Sequence, residues 1–236
     1  LRQYMRESVK AEEDLVAVLQ SAKNRPSPID GYFGSVYYIG PIFTAFRGTP
    51  EATTYYSTLR AEIEERVRLG LGPITPDGPM TEEKYRLVVE GPPNWTHFRD
   101  FWKMFYDEGA VVVASTYSKV GGLYDFGFRH DPDHPLESLA EYCLGCYTNL
   151  NLPSRVDMIC KYIDEYQADG LLINSIKSCN SFSAGQLLIL REVEKRTGKP
   201  AAFIETDLVD PRYFSAANVK NRLESYFQMV KQKRTA

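Results

Sequence analysis

Apolar residues follow two alternating patterns along the chain. Short, mostly apolar runs predict strands that are buried on both faces, and they lie at 85–90, 110–115, 169–174 and 201–205. Longer segments carry apolar residues at helical spacing, and they lie at about 1–23, 50–69, 95–107, 136–144, 153–167, 184–197 and 216–232. This alternation predicts an α/β fold, a Rossmann-like parallel sheet flanked by helices, with an N-terminal helical segment.

Proline and glycine mark the expected boundaries. Thr49 precedes Pro50, which combines an N-cap residue with a proline in the first turn and predicts a helix start. The Gly- and Pro-rich segment 70–79 predicts an exposed joint that divides the chain into 1–79 and 80–236. Because the sequence starts at Leu1 inside a predicted helix, we expect 1–79 to complete or link to an N-terminal domain of a longer polypeptide.

Composition narrows the class of protein. Of the 236 residues, 43% are hydrophobic and 25% are charged, which is typical of a globular domain rather than a disordered chain. The net charge is −3 and the cationic residues are dispersed, so we expect neither nucleic acid nor a membrane as a partner. The sequence has no run of membrane-spanning length and no secretory signal pattern, which predicts a cytoplasmic protein with reduced cysteines.

The four cysteines suggest chemistry. Cys143 and Cys146 have the C-x-x-C spacing that zinc sites, iron–sulfur sites and dithiol redox centres share. Cys179 follows the third predicted strand, in a loop rich in Ser and Asn that is expected to enter a helix near Ala184. Ligands bind outside the carboxyl ends of parallel strands, so both loops are candidate sites.

Each cysteine also has a structural interpretation. Cys179 could be a small buried side chain at a strand end. Cys146 is expected in the loop after its helix and is favoured over Cys143, which fits the helix end and could pack there. Cys160 lies on the apolar face of the 153–167 helix and is expected in the core.

Other candidate residues carry weaker signals. The histidines His97, His130 and His134 have no zinc-like spacing, and the sequence lacks the known nucleotide and hydrolase signatures. A cluster of aromatic residues could line a pocket for a flat apolar ligand, although buried structural rings are favoured; its members are Tyr32, Phe33, Tyr37 and Tyr38.

Several longer segments resemble one protein family. One of them is Ala168-Asp-Gly-Leu-Leu-Ile-Asn-Ser-Ile-Lys-Ser-Cys179, and the others are 86–96, 107–116, 142–149, 204–212 and 221–227. They resemble the benzoyl-CoA reductase and 2-hydroxyacyl-CoA dehydratase family, most closely a subunit of its ATP-dependent (class I) reductases. The resemblance extends from about residue 40 to the end.

This resemblance implies an iron–sulfur site. Active subunits of the family hold a [4Fe–4S] cluster through three cysteines, and two of them map onto Cys146 and Cys179, with Cys143 as the alternative to Cys146. The third cysteine is expected from an N-terminal domain outside this sequence. The cluster would then belong to the 80–236 part of the chain but be completed elsewhere.

The resemblance also implies a reaction and partners. The expected reaction is reduction of the aromatic ring of benzoyl-CoA, an aromatic acyl-CoA, to a cyclic dienoyl-CoA. The expected partners in this oxygen-sensitive complex are a homologous cluster-bearing subunit, ATPase subunits and ferredoxin as electron donor. A radical 2-hydroxyacyl-CoA dehydratase subunit is the alternative enzyme, and a scaffold subunit without a cluster is the alternative of another class. His97, Tyr117 and Lys119 could donate protons, although surface or structural roles are favoured.

Overall fold

The computed structural model describes residues 1–36, 46–117 and 122–235. In chain order the helices are α1 (Arg2–Gln20), α2 (Pro50–Arg68), α3 (Phe98–Tyr106), α4 (Pro135–Gly145), α5 (Leu152–Glu165), α6 (Asn180–Ser183), α7 (Gln186–Thr197) and α8 (Ala216–Thr235). The strands are β1 (Ile74–Thr75), β2 (Gly78–Pro79), β3 (Tyr85–Glu90), β4 (Ala110–Ser115), β5 (Gly170–Ile176) and β6 (Ala201–Thr206).

The main sheet has the order β4-β3-β5-β6, and its paired strands are parallel. The predicted α/β class with a parallel sheet flanked by helices is therefore confirmed. β4, which follows β3 in the sequence, lies on one side of β3, and β5 lies on the other side. The direction of winding thus reverses between β3 and β5, which is the switch point where sheets of this kind bind ligands.

Side chains from alternate strand positions fill two cores, one on each face of the sheet. On one face, Val88, Val111 and Ile173 pack with residues of α5 and α7. On the other face the strands pack with aromatic side chains of α3 and with α8. This double burial explains why the strands consist mostly of apolar residues.

The first helix joins the core instead of standing apart from it. Val18 of α1 is 1% exposed and packs in the same core as sheet residues, and Ile63 of α2 packs there too. The predicted start of α2 is confirmed, since the Thr49 side chain accepts a hydrogen bond from the backbone N–H of Ala52. The division into 1–79 and 80–236 stays a prediction.

Several helix ends differ from the predictions by a few residues, and three further differences change the description of the chain. The segment 70–79, predicted as a plain connector, contains the β1–β2 hairpin, in which Thr75 pairs with Gly78. The helix predicted near Ala184 begins at Gln186, because Gly185 has a φ of +81° and separates α7 from the short turn α6. The strand predicted at 169–174 begins one residue later and extends to Ile176.

Arg86 lies near the amino end of β3, at the edge of the sheet opposite to the carboxyl ends of the strands. Its side chain is almost fully buried and forms an ion pair of 2.6 Å with Glu83. The guanidinium group also donates hydrogen bonds to the carbonyl oxygens of Ala22 and Tyr166, at 2.6 and 3.0 Å. It thereby holds the segment after α1 and the end of α5 against β3.

In the ranges that the structure describes, no helix is long and apolar enough to cross a membrane.

Candidate functional site

The carboxyl ends of β3 and β5 define the centre of the site. Gly91, directly after β3, has a φ of +101°, and a Cβ atom there would collide with the backbone carbonyl oxygen of Asn174 in β5. Only glycine allows this close approach of the two strand ends. Asn174 is buried and donates a hydrogen bond of 2.7 Å to the carbonyl oxygen of Pro92, while its own amide oxygen accepts one of 2.9 Å from Thr206.

Glu90, the last residue of β3, has a fully buried carboxyl group. It accepts a hydrogen bond of 3.1 Å from the Tyr147 hydroxyl through Oε1 and a short one from the Gln186 amide through Oε2. Burial raises the pKa of Glu90 to about 8, although both donors and the nearby charge of Arg155 act to lower it. The group therefore holds a proton at neutral pH.

Cys146 lies where the chain leaves α4. It caps this helix, and its thiol donates a hydrogen bond of 3.4 Å to the carbonyl oxygen of Tyr142. Its side chain is half-buried, whereas Cys143 is exposed. Burial raises the pKa of the Cys146 thiol, the neighbouring Cys143 adds to the rise, and the charge of Arg47 opposes it. A metal that bound this sulfur would have to displace its proton.

Cys179 lies between β5 and the short turn α6, and it is also half-buried. Asp207, in the loop after β6, holds the residue before it by accepting a hydrogen bond of 2.9 Å from the backbone N–H of Ser178. Burial would raise the pKa of Asp207, but hydrogen bonds from the N–H groups of Val209, Asp210 and Ser178 outweigh it and lower the pKa to about 2. The Cys179 loop is therefore anchored by a carboxylate that is charged at neutral pH.

Arg155 of α5 joins the two cysteine loops. Its guanidinium group donates to the carbonyl oxygens of Thr148 and Leu150 on the Cys146 side, at 2.7 and 3.1 Å. The same group donates to the carbonyl oxygen of Ser181 on the Cys179 side, at 3.1 Å. Because Arg155 is nearly buried, these charge-assisted hydrogen bonds are shielded from water.

A row of aromatic rings covers the carboxyl edge of the sheet. Tyr147 stacks on Phe182, with ring centroids 5.8 Å apart. Phe182 contacts Tyr117 at 6.4 Å, and Tyr117 contacts Trp95 at 6.1 Å. The row extends from the cysteine loops to the loops that follow β3 and β4, and Cys179 packs against the apolar cluster that contains Tyr147 and Phe182.

A second polar cluster lies between α1 and α4. Glu12 of α1 and His130 are both buried and are joined by a contact of 2.5 Å between Oε1 and Nδ1. Arg47 donates a hydrogen bond of 3.0 Å to the Tyr124 hydroxyl, and its guanidinium carbon lies 5.2 Å from the ring centroid of Tyr142. The cluster ties α1 to the helix whose end carries Cys146.

The remaining predicted residues are dispersed. Cys160 is half-buried and packs at the border of the core, and His97 stacks on Phe214 with centroids 4.5 Å apart. Tyr32 and Phe33 are core residues, as favoured, since Phe33 stacks on Trp102. Tyr37, Tyr38 and Lys119 lie outside the described residues.

The described residues do not bring a complete metal site together. Within these ranges no group of at least three His, Cys, Asp or Glu side chains could hold a metal ion. What the fold does provide is two half-buried thiols on neighbouring loops that share Arg155 as a hydrogen-bond donor. Two thiols from adjacent loops fit part of a thiolate ligand set, and a further donor would have to join them.

Sequence reasoning missed the residues that join the loops. Glu90 ends an apolar strand, and this carboxyl group in a buried run directly before Gly91 is a signal that could have identified it. Arg155 reads as an ordinary charged residue of a helix, and Gln186 as a polar residue at a helix start. Neither has a sequence pattern that points to the site, because their partners are distant in the chain.

Comparisons with known proteins extend the picture. The family model described as 2-hydroxyglutaryl-CoA dehydratase, D-component, matches residues 1–230. The B subunit of benzoyl-CoA reductase from Thauera aromatica is 79% identical over 235 residues, which cover 100% of this chain and 54% of that protein.

More distant relatives have similar coverage. The alpha subunit of lactoyl-CoA dehydratase from Anaerotignum propionicum is 24% identical over 90% of this chain and 48% of its own length. The (R)-2-hydroxyisocaproyl-CoA dehydratase alpha subunit of Clostridioides difficile is 26% identical over 90% of this chain and 49% of its own length. The chain thus spans about half the length of the relatives that it matches.

Proposed function

The chain belongs to the 2-hydroxyglutaryl-CoA dehydratase D-component family, and from this premise we propose that it is part of the B subunit of an ATP-dependent benzoyl-CoA reductase. The family resemblance drawn from the sequence motifs is confirmed by the family match and by the 79% identity to the Thauera aromatica protein. That identity is the observation that carries the proposal, because the two dehydratase alpha subunits are 24% and 26% identical.

In this proposal Cys146 and Cys179 are ligands of a [4Fe–4S] cluster. The cluster would supply single electrons at low potential to the aromatic ring of the acyl-CoA. The support from the structure is that Cys179 follows β5, that Tyr147, the residue after Cys146, donates to Glu90 at the end of β3, and that Arg155 joins the two loops. The third ligand would come from the part of the relatives that the chain does not span.

The chain's own residues would shape the site around the ring. The aromatic row that contains Phe182 and Tyr117 offers an apolar surface for a flat substrate and limits access of water. Glu90, buried beneath this row, holds a proton at neutral pH. Reduction of an aromatic ring needs protons as well as electrons, so a neutral buried acid suits this chemistry.

The proposed partners follow from the same reaction. A homologous cluster-bearing subunit, ATPase subunits and ferredoxin would deliver the electrons, in an oxygen-sensitive cytoplasmic complex. The support is that the matched relatives are named as subunits.

Anaerobic iron and sulfide analysis of the full-length protein tests the ligand assignment. We expect Cys146→Ser and Cys179→Ser to lower the iron content strongly, while Cys160→Ser, a half-buried control away from both loops, keeps it. Cys143→Ser tests the alternative ligand. Wild-type iron content in both the Cys146→Ser and the Cys179→Ser variants would contradict the assignment and favour a scaffold subunit without a cluster.

The second candidate function is a radical 2-hydroxyacyl-CoA dehydratase subunit, which the description of the matching family favours. Product analysis of the reconstituted complex separates the two. Formation of a cyclic dienoyl-CoA from benzoyl-CoA supports the reductase, and turnover of a 2-hydroxyacyl-CoA alone supports the dehydratase.

A further inference from the structure

The buried carboxyl group at the end of β3 contacts both cysteine loops. Tyr147, which donates to Glu90 Oε1 at 3.1 Å, is the residue directly after Cys146. Gln186, which donates to Oε2, begins the helix that follows the Cys179 loop. Glu90, Tyr147 and Gln186 are each at most 1% exposed, so these contacts form without competition from water.

We propose that the Glu90 carboxyl group is a positioning group for the proposed metal centre, joining the loop of Cys146 to the loop of Cys179. This inference rests on the proposed function, since it needs both thiols to be ligands. Arg155 joins the same loops through backbone carbonyl oxygens at their outer side. Glu90 joins them through side chains, from the central strand, and so fixes their position relative to the sheet.

Gln186 is suited to both protonation states of its partner. Its Oε1 atom is buried and has no hydrogen-bond donor in the part of the chain that the structure describes. When Glu90 is ionised, the Gln186 amide nitrogen donates to it. When Glu90 carries a proton, rotation of the amide presents Oε1 as the acceptor. The link between the two loops therefore survives a change of protonation.

Ionisation of Glu90 would change the electrostatic potential at the proposed metal centre. The titratable and charged groups that face it from the described elements are Tyr147, Arg155 of α5 and Tyr32. Tyr32 and Tyr147 keep their protons, because burial raises the pKa of both hydroxyls. Ionisation of Glu90 above a pKa of about 8 therefore adds one negative charge between the loops. That charge disfavours electron uptake by a nearby centre.

Two variants of Glu90 in the full-length protein test the proposal. Glu90→Gln keeps the shape and both hydrogen bonds but cannot ionise, so we expect wild-type iron content and a midpoint potential that no longer changes between pH 7 and 9. Glu90→Leu removes both contacts, and we expect about a tenfold weaker hold on iron and an altered electron paramagnetic resonance spectrum. Asp30→Asn is the matched control, since Asp30 is a buried carboxyl group that, among the described residues, accepts hydrogen bonds from the backbone N–H groups of Tyr32, Phe33 and Val112 and from no residue of the cysteine loops.

A measurement without metal keeps the test independent of cluster assembly. In the metal-free protein with Cys143 and Cys160 replaced by Ser, a short bifunctional thiol reagent should crosslink Cys146 to Cys179. We expect Tyr147→Phe and Glu90→Leu each to lower the crosslinking yield several-fold and Asp30→Asn to leave it unchanged. Unchanged crosslinking, iron content and spectrum in Glu90→Leu would overturn the inference, as would equal losses in Asp30→Asn. If the wild-type protein holds no iron, the proposed function fails instead.

Discussion

Nη1 of Arg155 donates a hydrogen bond of 3.1 Å to the backbone carbonyl oxygen of Ser181, a residue 26 positions further along the chain. The same side chain reaches the carbonyl oxygens of Thr148 and Leu150. One buried cation therefore joins two loops that are distant in the sequence, in addition to the contacts that both loops make with Glu90.

Replacing Arg155 should loosen both loops. A lysine at this position has one small ammonium group, which cannot span carbonyl oxygens on opposite sides. We expect Arg155→Lys to lower the free energy of unfolding by about 2–4 kcal/mol and to speed the alkylation of Cys179. Arg196→Lys is the control, because Arg196 is half-exposed and pairs with Asp157 at 2.7 Å on the surface. Equal thermal shifts in the two variants would contradict a special role for Arg155.

Gly91 should tolerate no side chain. A Cβ atom at this position meets the carbonyl oxygen of Asn174, and the φ of +101° adds strain. We expect Gly91→Ala to lower the free energy of unfolding by more than about 2 kcal/mol. Gly70→Ala separates the two effects, since Gly70 also has a positive φ, of +64°, but has open space around it. Its cost should stay near about 1 kcal/mol, as measured by denaturant unfolding.

The two thiols of the C-x-x-C motif should react at different rates. Cys143 is exposed, whereas Cys146 is half-buried and burial raises the pKa of its thiol. Since the thiolate is the reactive form, iodoacetamide should modify Cys143 first at about pH 8, and Cys146 should follow only at higher pH. Peptide mass spectrometry of the metal-free protein measures both rates. Faster modification of Cys146 under these conditions would contradict the structure.

Stability should depend on pH through two buried acids in different windows. A carboxyl pKa that is raised in the folded state stabilises the protein below the unfolded pKa, and this contribution is lost as the pH rises through the folded pKa. For Glu90 the window runs from 4.5 to about 8, and for Asp30 from 3.8 to about 6. Between pH 6 and 8 the wild type should therefore lose stability relative to Glu90→Gln but not relative to Asp30→Asn. Thermal unfolding measured from pH 6 to 8 tests this prediction. Parallel plots of melting temperature against pH for all three proteins would contradict it.

Sequence patterns predicted the parts of the fold that depend on burial. The runs at 85–90 and 110–115 could be read as strands because burial on both faces leaves them mostly apolar, although Arg86 and Glu90 interrupt the first run. The break at Gly185 and the β1–β2 hairpin were missed, since a single φ angle and a pair of two-residue strands leave no periodic signal.

The site was predictable only in part for a related reason. Cysteines are recognisable candidates in a sequence because their thiols bind metals and react, so Cys146 and Cys179 could be singled out. Their role as ligands stays a prediction. Glu90 and Arg155 act through partners that lie far away in the chain, 57 positions in the case of Glu90 and Tyr147. Such pairs become visible only when the strand order places β3 beside β5.

In the part of the chain that the structure describes, the hydrogen-bond acceptors of Arg155 are all main-chain oxygens. Every amino acid supplies that atom, so the identity of residues 148, 150 and 181 is irrelevant to the bond. Side chains at these three positions can therefore change without loss of the hydrogen bonds that join the loop of Cys146 to the loop of Cys179. A site built in this way separates what must stay constant from what is free to diversify.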